Sequence, residues 1–141
     1  MIFDDEWCRP FDETRKGFNL GEGAGFIVLE SEKSLQLSGK TPVAKLTGWS
    51  NASDAFHQTA SSENGDGAYL AMQKALKMSS LSTNDIDYIN AHGTATPNND
   101  LSEGRAIVRV FENQVPEFSS TKPYTGHTLA AAAAIEAVYS V

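Results

Sequence analysis

Two of the chain's three histidines sit in settings of the same kind, His92 in YINAHGTATPNND and His127 in SSTKPYTGHTLAAAAAIEA. Each stands among glycine and threonine, where little side-chain bulk blocks approach to the ring. A neutral imidazole at a helix N-terminus feels the positive end of the macrodipole, which disfavours its charged form and leaves an N–H free to donate. Two such donors converging on one carbonyl oxygen would stabilise an enolate or a tetrahedral oxyanion, often the dominant source of rate enhancement in acyl chemistry. Spacing alone leaves the other role open, that of loop histidines held by local hydrogen bonds.

Other chemistries fit these residues less well. Zinc needs three or four converging ligands, and His57, His92 and His127 show neither an HxxxH spacing nor a cysteine pair. The GEGAG stretch lacks the lysine and hydroxyl that follow a phosphate loop, so its glycines read as close strand packing. Cys8 is the sole thiol and lies between Trp7 and Arg9, with nothing in its neighbourhood that marks an electropositive niche.

The elements that would carry the histidines follow from periodicity. Gly23 to Glu30 is an apolar run suited to a buried strand, and Val43 to Trp49 alternates like a second one. Ser31 to Leu37 is expected to be a short helix stopped by Gly39, and Ala68 to Met78 a longer one with Asp66 at its positive end. Between them Ser50 to Gly67 is a long polar loop of the kind that borders sites. Ser82 to Asp85 reads as a cap-like turn. Ile86 to Ala91 then reads as a strand delivering His92, with Leu101 to Phe111 as the next helix. A second βα corner is expected from Phe118 to Lys122, a turn over 123–127, and an alanine-rich helix from Thr128 to Val141, with His127 just ahead of that helix. The expected class is α/β.

With 141 residues, 40% of them hydrophobic, the chain has the size and core material of one domain, 1–141. Its net charge of −7, with no cluster of lysine and arginine, argues against a nucleic-acid surface. The acidic start MIFDDEWC does not read as a signal peptide, and the apolar run near Ala130 to Val138 is short and broken by Glu136, so no membrane span is expected. One cysteine excludes an internal disulfide and suits a reducing cytoplasm.

The stretches CRPFDETRKGFNLGEGAGFIVLE, SDAFHQTAS, DYINAHGTATPNND and SSTKPYTGHTLAAAAAIEA resemble, in order, the β-ketoacyl-acyl carrier protein synthases, the elongating condensing enzymes of fatty-acid and polyketide synthesis. The resemblance implies a thiolase-like layered fold, of which this chain matches most of the C-terminal half without its final strands. It implies a Cys-His-His triad whose cysteine takes an acyl group from a carrier protein, after which malonyl-carrier protein loses CO₂ and its enolate attacks the acyl-enzyme. His92 and His127 correspond to the two histidines. The family's nucleophilic cysteine belongs to the other half, so these residues alone are expected to be inactive.

By the same resemblance, Lys122 matches the family's lysine, a charge organiser, and Glu136 matches the acid that pairs with it; a purely structural salt bridge stays open for this pair. Thr94, Thr96 and Thr59 match residues that line the path of the phosphopantetheine arm, which arrives on the carrier protein, so no separate cofactor is expected. His57 is expected to be a wall or loop residue. The implied partners are acyl carrier protein and acyl and malonyl thioesters, with Arg9, Arg15 and Lys16 as local candidates for docking the acidic carrier, and a homodimer in the full-length protein. Ala130, Ala133 and Asn99 depart from the family's glycines; the methyls are expected to alter helix packing or the pocket, and Asn99 to tolerate a left-handed turn. A non-catalytic partner of the chain-length-factor type is the competing expectation.

Overall fold

The computed structural model describes residues 2–58 and 60–141. Helix α1 (Glu32–Ser38) starts where the Ser31 hydroxyl accepts the Ser34 N–H and stops at Gly39, whose φ of 67° is left-handed. Helix α2 (Asp66–Ser79) carries Asp66 in its first turn and Lys77 in its last, each matched to the macrodipole. A single turn, Thr83–Asp85, follows behind a reciprocal cap between Ser82 and Asp85. Strand β1 (Tyr88–Asn90), helix α3 (Pro97–Phe111) and strand β2 (Glu117–Ser119) then form a parallel β–α–β unit with Ile89 opposite Phe118. Beyond it come the one-turn helix α4 (Lys122–Thr125), a tight turn at Leu129–Ala131 and helix α5 (Ala132–Tyr139).

The side chains of β1 alternate between two layers. Ile89 joins Tyr69, Met72, Leu76 and Ile86 against a core of Ile107, Val110 and Phe111, which knits α2 to α3. Asn90 points the other way and donates to the Glu136 carbonyl at 3.0 Å and to Ser140 Oγ at 3.1 Å, which ties α5 to the opposite side of the sheet. Helices on both sides of parallel strands are the layered α/β arrangement expected. Arg109 braces α3 on α2 from outside, 4.2 Å above the Tyr69 ring and paired with Asp66 at 2.7 Å.

Three expectations are corrected. Residues 23–30 and 43–49 carry no regular secondary structure and form no ladder among the described residues, and Phe26, Val28, Leu29, Val43, Leu46 and Trp49 are exposed. Their apolar character is real, yet a strand also needs a neighbour, and none of the described residues supplies one. The expected close approach, by contrast, is present. A Cβ on Gly25 would stand 2.8 Å from the Ala134 carbonyl carbon, so only glycine lets this segment run against α5.

The second corner also differs, because Pro123 sits at the start of a helical turn, where its missing N–H costs nothing; the segment expected as a plain turn is α4, with Lys122 as its first residue. His127 therefore lies well beyond β2, bridged to Leu20. Asn99 is a helical residue in the first turn of α3 and needs no left-handed backbone; Ala130 and Ala133 are exposed.

Candidate active site

The two histidines come together. Their rings meet edge to face with centroids 5.1 Å apart and planes at 82°, and Phe18 packs edge-on against the far side of His127 at 5.5 Å. The His127 backbone is fixed by donating to the Asn19 carbonyl at 2.7 Å and accepting from Gly21 at 3.2 Å. This pairing needs Gly126 at φ 66°, where a Cβ would meet Gly21.

Each ring has its Nδ1 occupied by a donor. Lys122 Nζ lies 3.3 Å from Nδ1 of His92, and an ammonium can only donate, so that nitrogen accepts. The Leu129 backbone N–H donates to Nδ1 of His127 at 3.2 Å. A neutral histidine with Nδ1 accepting carries its proton on Nε2. Both rings thus offer an Nε2–H donor.

Both rings are held below the ordinary histidine pKa. For His92 the causes are desolvation by the surrounding protein and then the Lys122 charge; for His127 they are desolvation and then the charges of His92 and Lys122. His92 nonetheless remains exposed to solvent. The expected helix-dipole cause gives way to these, since the turn at Leu129–Ala131 separates His127 from α5.

Lys122 is 1% exposed, and its Nζ bonds to the His92 carbonyl and to Glu136 Oε1 as well as to the His92 ring. The expected Lys122–Glu136 pair is therefore present, its lysine buried and its glutamate partly so, and it touches one histidine directly. A buried ammonium keeps its charge only when paired and hydrogen-bonded in this way.

Two acids of α3, which the sequence alone leaves on an ordinary helix surface, hold the HGTAT turn from below. Glu103 accepts the backbone N–H of His92 at 2.7 Å and that of Gly93 at 2.8 Å, and burial pushes its carboxyl upward against those two bonds. Asp100, 3% exposed, accepts from Phe11 at 2.7 Å and from Ala95 at 3.1 Å. Ala95 is a non-glycine at φ 63°, a conformation that persists only where its surroundings enforce it. The one local signal for these acids is their spacing of three residues beside the Pro that opens α3.

Thr94 is buried and Thr96 half-buried, with their hydroxyls 2.9 Å apart and bonded to each other. Thr59 lies outside the described residues. His57 lines a polar cleft of about 380 Å³ with Asp54 and Gln58, and neither that cleft nor a second of about 530 Å³ is lined by the histidine pair. Cys8 is 1% exposed and burial raises its thiol pKa, the opposite of an activated nucleophile. Arg9 faces Asp4 at 3.8 Å and Glu6 at 3.5 Å, Arg15 faces Asp100 at 3.7 Å, and Lys16 is exposed.

A layered α/β unit carrying an HGT histidine, a TGH histidine and a buried lysine between them defines a class, the condensing enzymes of thiolase-like fold. Residues 43–141 match the family model for the β-ketoacyl synthase C-terminal domain, and the chain belongs to that family. It is 48% identical over 140 residues to a mitochondrial 3-oxoacyl-[acyl-carrier-protein] synthase of Arabidopsis thaliana, covering 96% of this chain and 30% of that protein. It is 44% identical over 135 residues to 3-oxoacyl-[acyl-carrier-protein] synthase 2 of Staphylococcus aureus, covering 94% of this chain and 34% of that one. The chain thus spans about a third of the length of these relatives.

Among solved structures, the ishigamide ketosynthase/chain length factor superposes with a TM-score of 0.92 at 38% identity, over 97% of this chain and 34% of that one. A type II PKS ketosynthase bound to a hexaketide, in complex with its acyl-carrier protein, superposes with a TM-score of 0.88 at 36% identity, over 94% and 33% of the two chains.

Proposed function

We propose that this chain supplies the decarboxylating half of a β-ketoacyl-[acyl carrier protein] synthase site. A malonyl thioester delivered on the phosphopantetheine arm of a carrier protein would place its thioester carbonyl oxygen between the Nε2–H groups of His92 and His127. Loss of CO₂ leaves an enolate, whose negative oxygen both donors stabilise. Its carbon then attacks the acyl group held as a thioester on a cysteine elsewhere in the longer protein. A carbon–carbon bond forms, the cysteine thiolate leaves, and the 3-oxoacyl product stays on the carrier.

Lys122 and Glu136 act through His92 in this reading. The ammonium keeps Nδ1 of His92 an acceptor, and Glu136 balances the buried charge. Thr94, Thr96 and Thr59 are the residues we assign to the arm, with Thr94 and Thr96 needing to exchange their mutual bond for one to it. A homodimer is the assembly, and the cytoplasm the compartment, that we carry forward; among the described residues no helix is long and apolar enough to cross a membrane.

The single observation that carries the proposal is the edge-to-face pair of rings with both Nδ1 atoms occupied. The ishigamide ketosynthase/chain length factor, among the similar solved structures, keeps a non-catalytic partner as the rival reading. A scaffold has no use for two adjoining histidines and a buried lysine. In the full-length protein, His92→Ala and His127→Ala should each lower malonyl-carrier decarboxylation by about 10²-fold or more, as removal of one oxyanion donor does. Unchanged decarboxylation in both variants would leave only the scaffold reading.

A further inference from the structure

The cleft of about 530 Å³ is built on α3; neither histidine lines it, although Asp100, which holds the HGTAT turn, does. One wall is the edge-to-face pair Phe11 and Phe118, with centroids 5.0 Å apart, and Leu101 and Val108 extend the apolar lining while remaining 44% and 55% exposed. Arg105 and Arg109, one helical turn apart, stand at its rim. Apolar lining with a few fixed polar groups, at this volume, is the usual make-up of a small-molecule site.

The arginines are positioned but not saturated. Arg105 uses Nη1 for both its bonds, to the Glu63 carbonyl at 3.2 Å and Glu63 Oε1 at 2.6 Å. Arg109 likewise uses Nη1, for the Asn64 carbonyl and Asp66 Oδ1, both at 2.7 Å. The backbone carbonyls fix both guanidiniums whether or not the exposed acids stay, and exposed ion pairs of this sort contribute only about 0–1 kcal/mol. The remaining N–H edge of each fork is the part that receives a carboxylate with two parallel bonds. Arg15 also lines the cleft but is already engaged, its Nε 3.7 Å from the Asp100 carboxylate and its Nη atoms donating to the Asp12 and Pro97 carbonyls.

We propose that the cleft bounded by Phe11, Phe118, Leu101 and Val108 binds an aliphatic monocarboxylate, its carboxylate on the free edges of Arg105 and Arg109 and its chain along the apolar wall. The binding test is separate from the condensation chemistry, because neither His92, His127, Lys122 nor Glu136 lines the cleft and the variants leave Asp100 in place.

Decanoate, decanol and acetate are titrated calorimetrically into the full-length protein and its R105Q/R109Q and V108E variants. Decanoate should bind to the parent protein, about tenfold or more weaker to R105Q/R109Q, since bonds to a charged group are lost. V108E, at an exposed position that should not disturb folding, should abolish binding by placing a charge in the tail's path. Acetate should not bind, and decanol should be indifferent to R105Q/R109Q. Decanoate affinity unchanged in both variants would assign its binding to another pocket and overturn the proposal, as would no binding to the parent.

Discussion

Lys122 and His92 are joined twice, from Nζ to Nδ1 of the ring at 3.3 Å and from Nζ to the backbone carbonyl of the same residue. One buried cation thus fixes both the position of His92 and the side of its ring that carries the proton. Lys122→Met should therefore act on two observables. Glu136, partly buried, loses its partner, which should lower stability in denaturant unfolding by less than the roughly 3–5 kcal/mol that breaking a fully buried pair costs. The His92 pKa, held down in part by Lys122, should rise, which a histidine-resolved NMR titration would read.

Acid should weaken the site before it weakens an ordinary surface. An unfolded histidine takes up its proton near 6.5, whereas both folded rings do so only at lower pH. Between those points the unfolded chain binds more protons than the folded one, so stability rises with pH there. The contribution of the two rings should be fully present above 6.5 and be lost as pH falls below it toward the folded values. Unfolding free energies measured from pH 7 downward should show that slope, and His92→Gln together with His127→Gln should flatten it.

Glu103→Gln should loosen the HGT turn without touching either ring. The amide keeps one acceptor oxygen and replaces the other with a donor facing a backbone N–H, so one of the two bonds to His92 and Gly93 is lost. A buried donor left unsatisfied costs about 1–3 kcal/mol. Hydrogen exchange at the His92 and Gly93 amides should speed up, with α2 amides unchanged.

Gly25→Ala should separate residues 23–30 from α5. Its Cβ would stand 2.8 Å from the Ala134 carbonyl carbon and the Ile135 nitrogen, backbone atoms that cannot rotate away. Overpacking of that kind costs about 1–3 kcal/mol, readable as a lower denaturation midpoint at unchanged slope.

The parts legible in the sequence are those whose signal is local. Ser31 and Gly39 bound α1 because capping chemistry acts within one turn, and the 3.6-residue spacing of α2 is visible without its partners. The similar surroundings of His92 and His127 suggest their pairing, while the atoms that set their protons are hidden: Leu129 N–H and the reach of Lys122 depend on the fold. Asp100 and Glu103 look like any polar helix surface until α3 is laid beneath the HGTAT turn. The apolar runs at 23–30 and 43–49 read as strands but form none, because pairing is a relation to another strand and cannot be read from the run itself.

Nitrogen-15 NMR of the histidine rings in the full-length protein at neutral pH tests the proton placement on which the proposed chemistry rests. His92 and His127 should both appear as neutral rings protonated on Nε2, each with Nδ1 shifted as an acceptor. Either ring found carrying its proton on Nδ1, or found doubly protonated at that pH, would contradict a pair of Nε2–H donors poised for one oxygen.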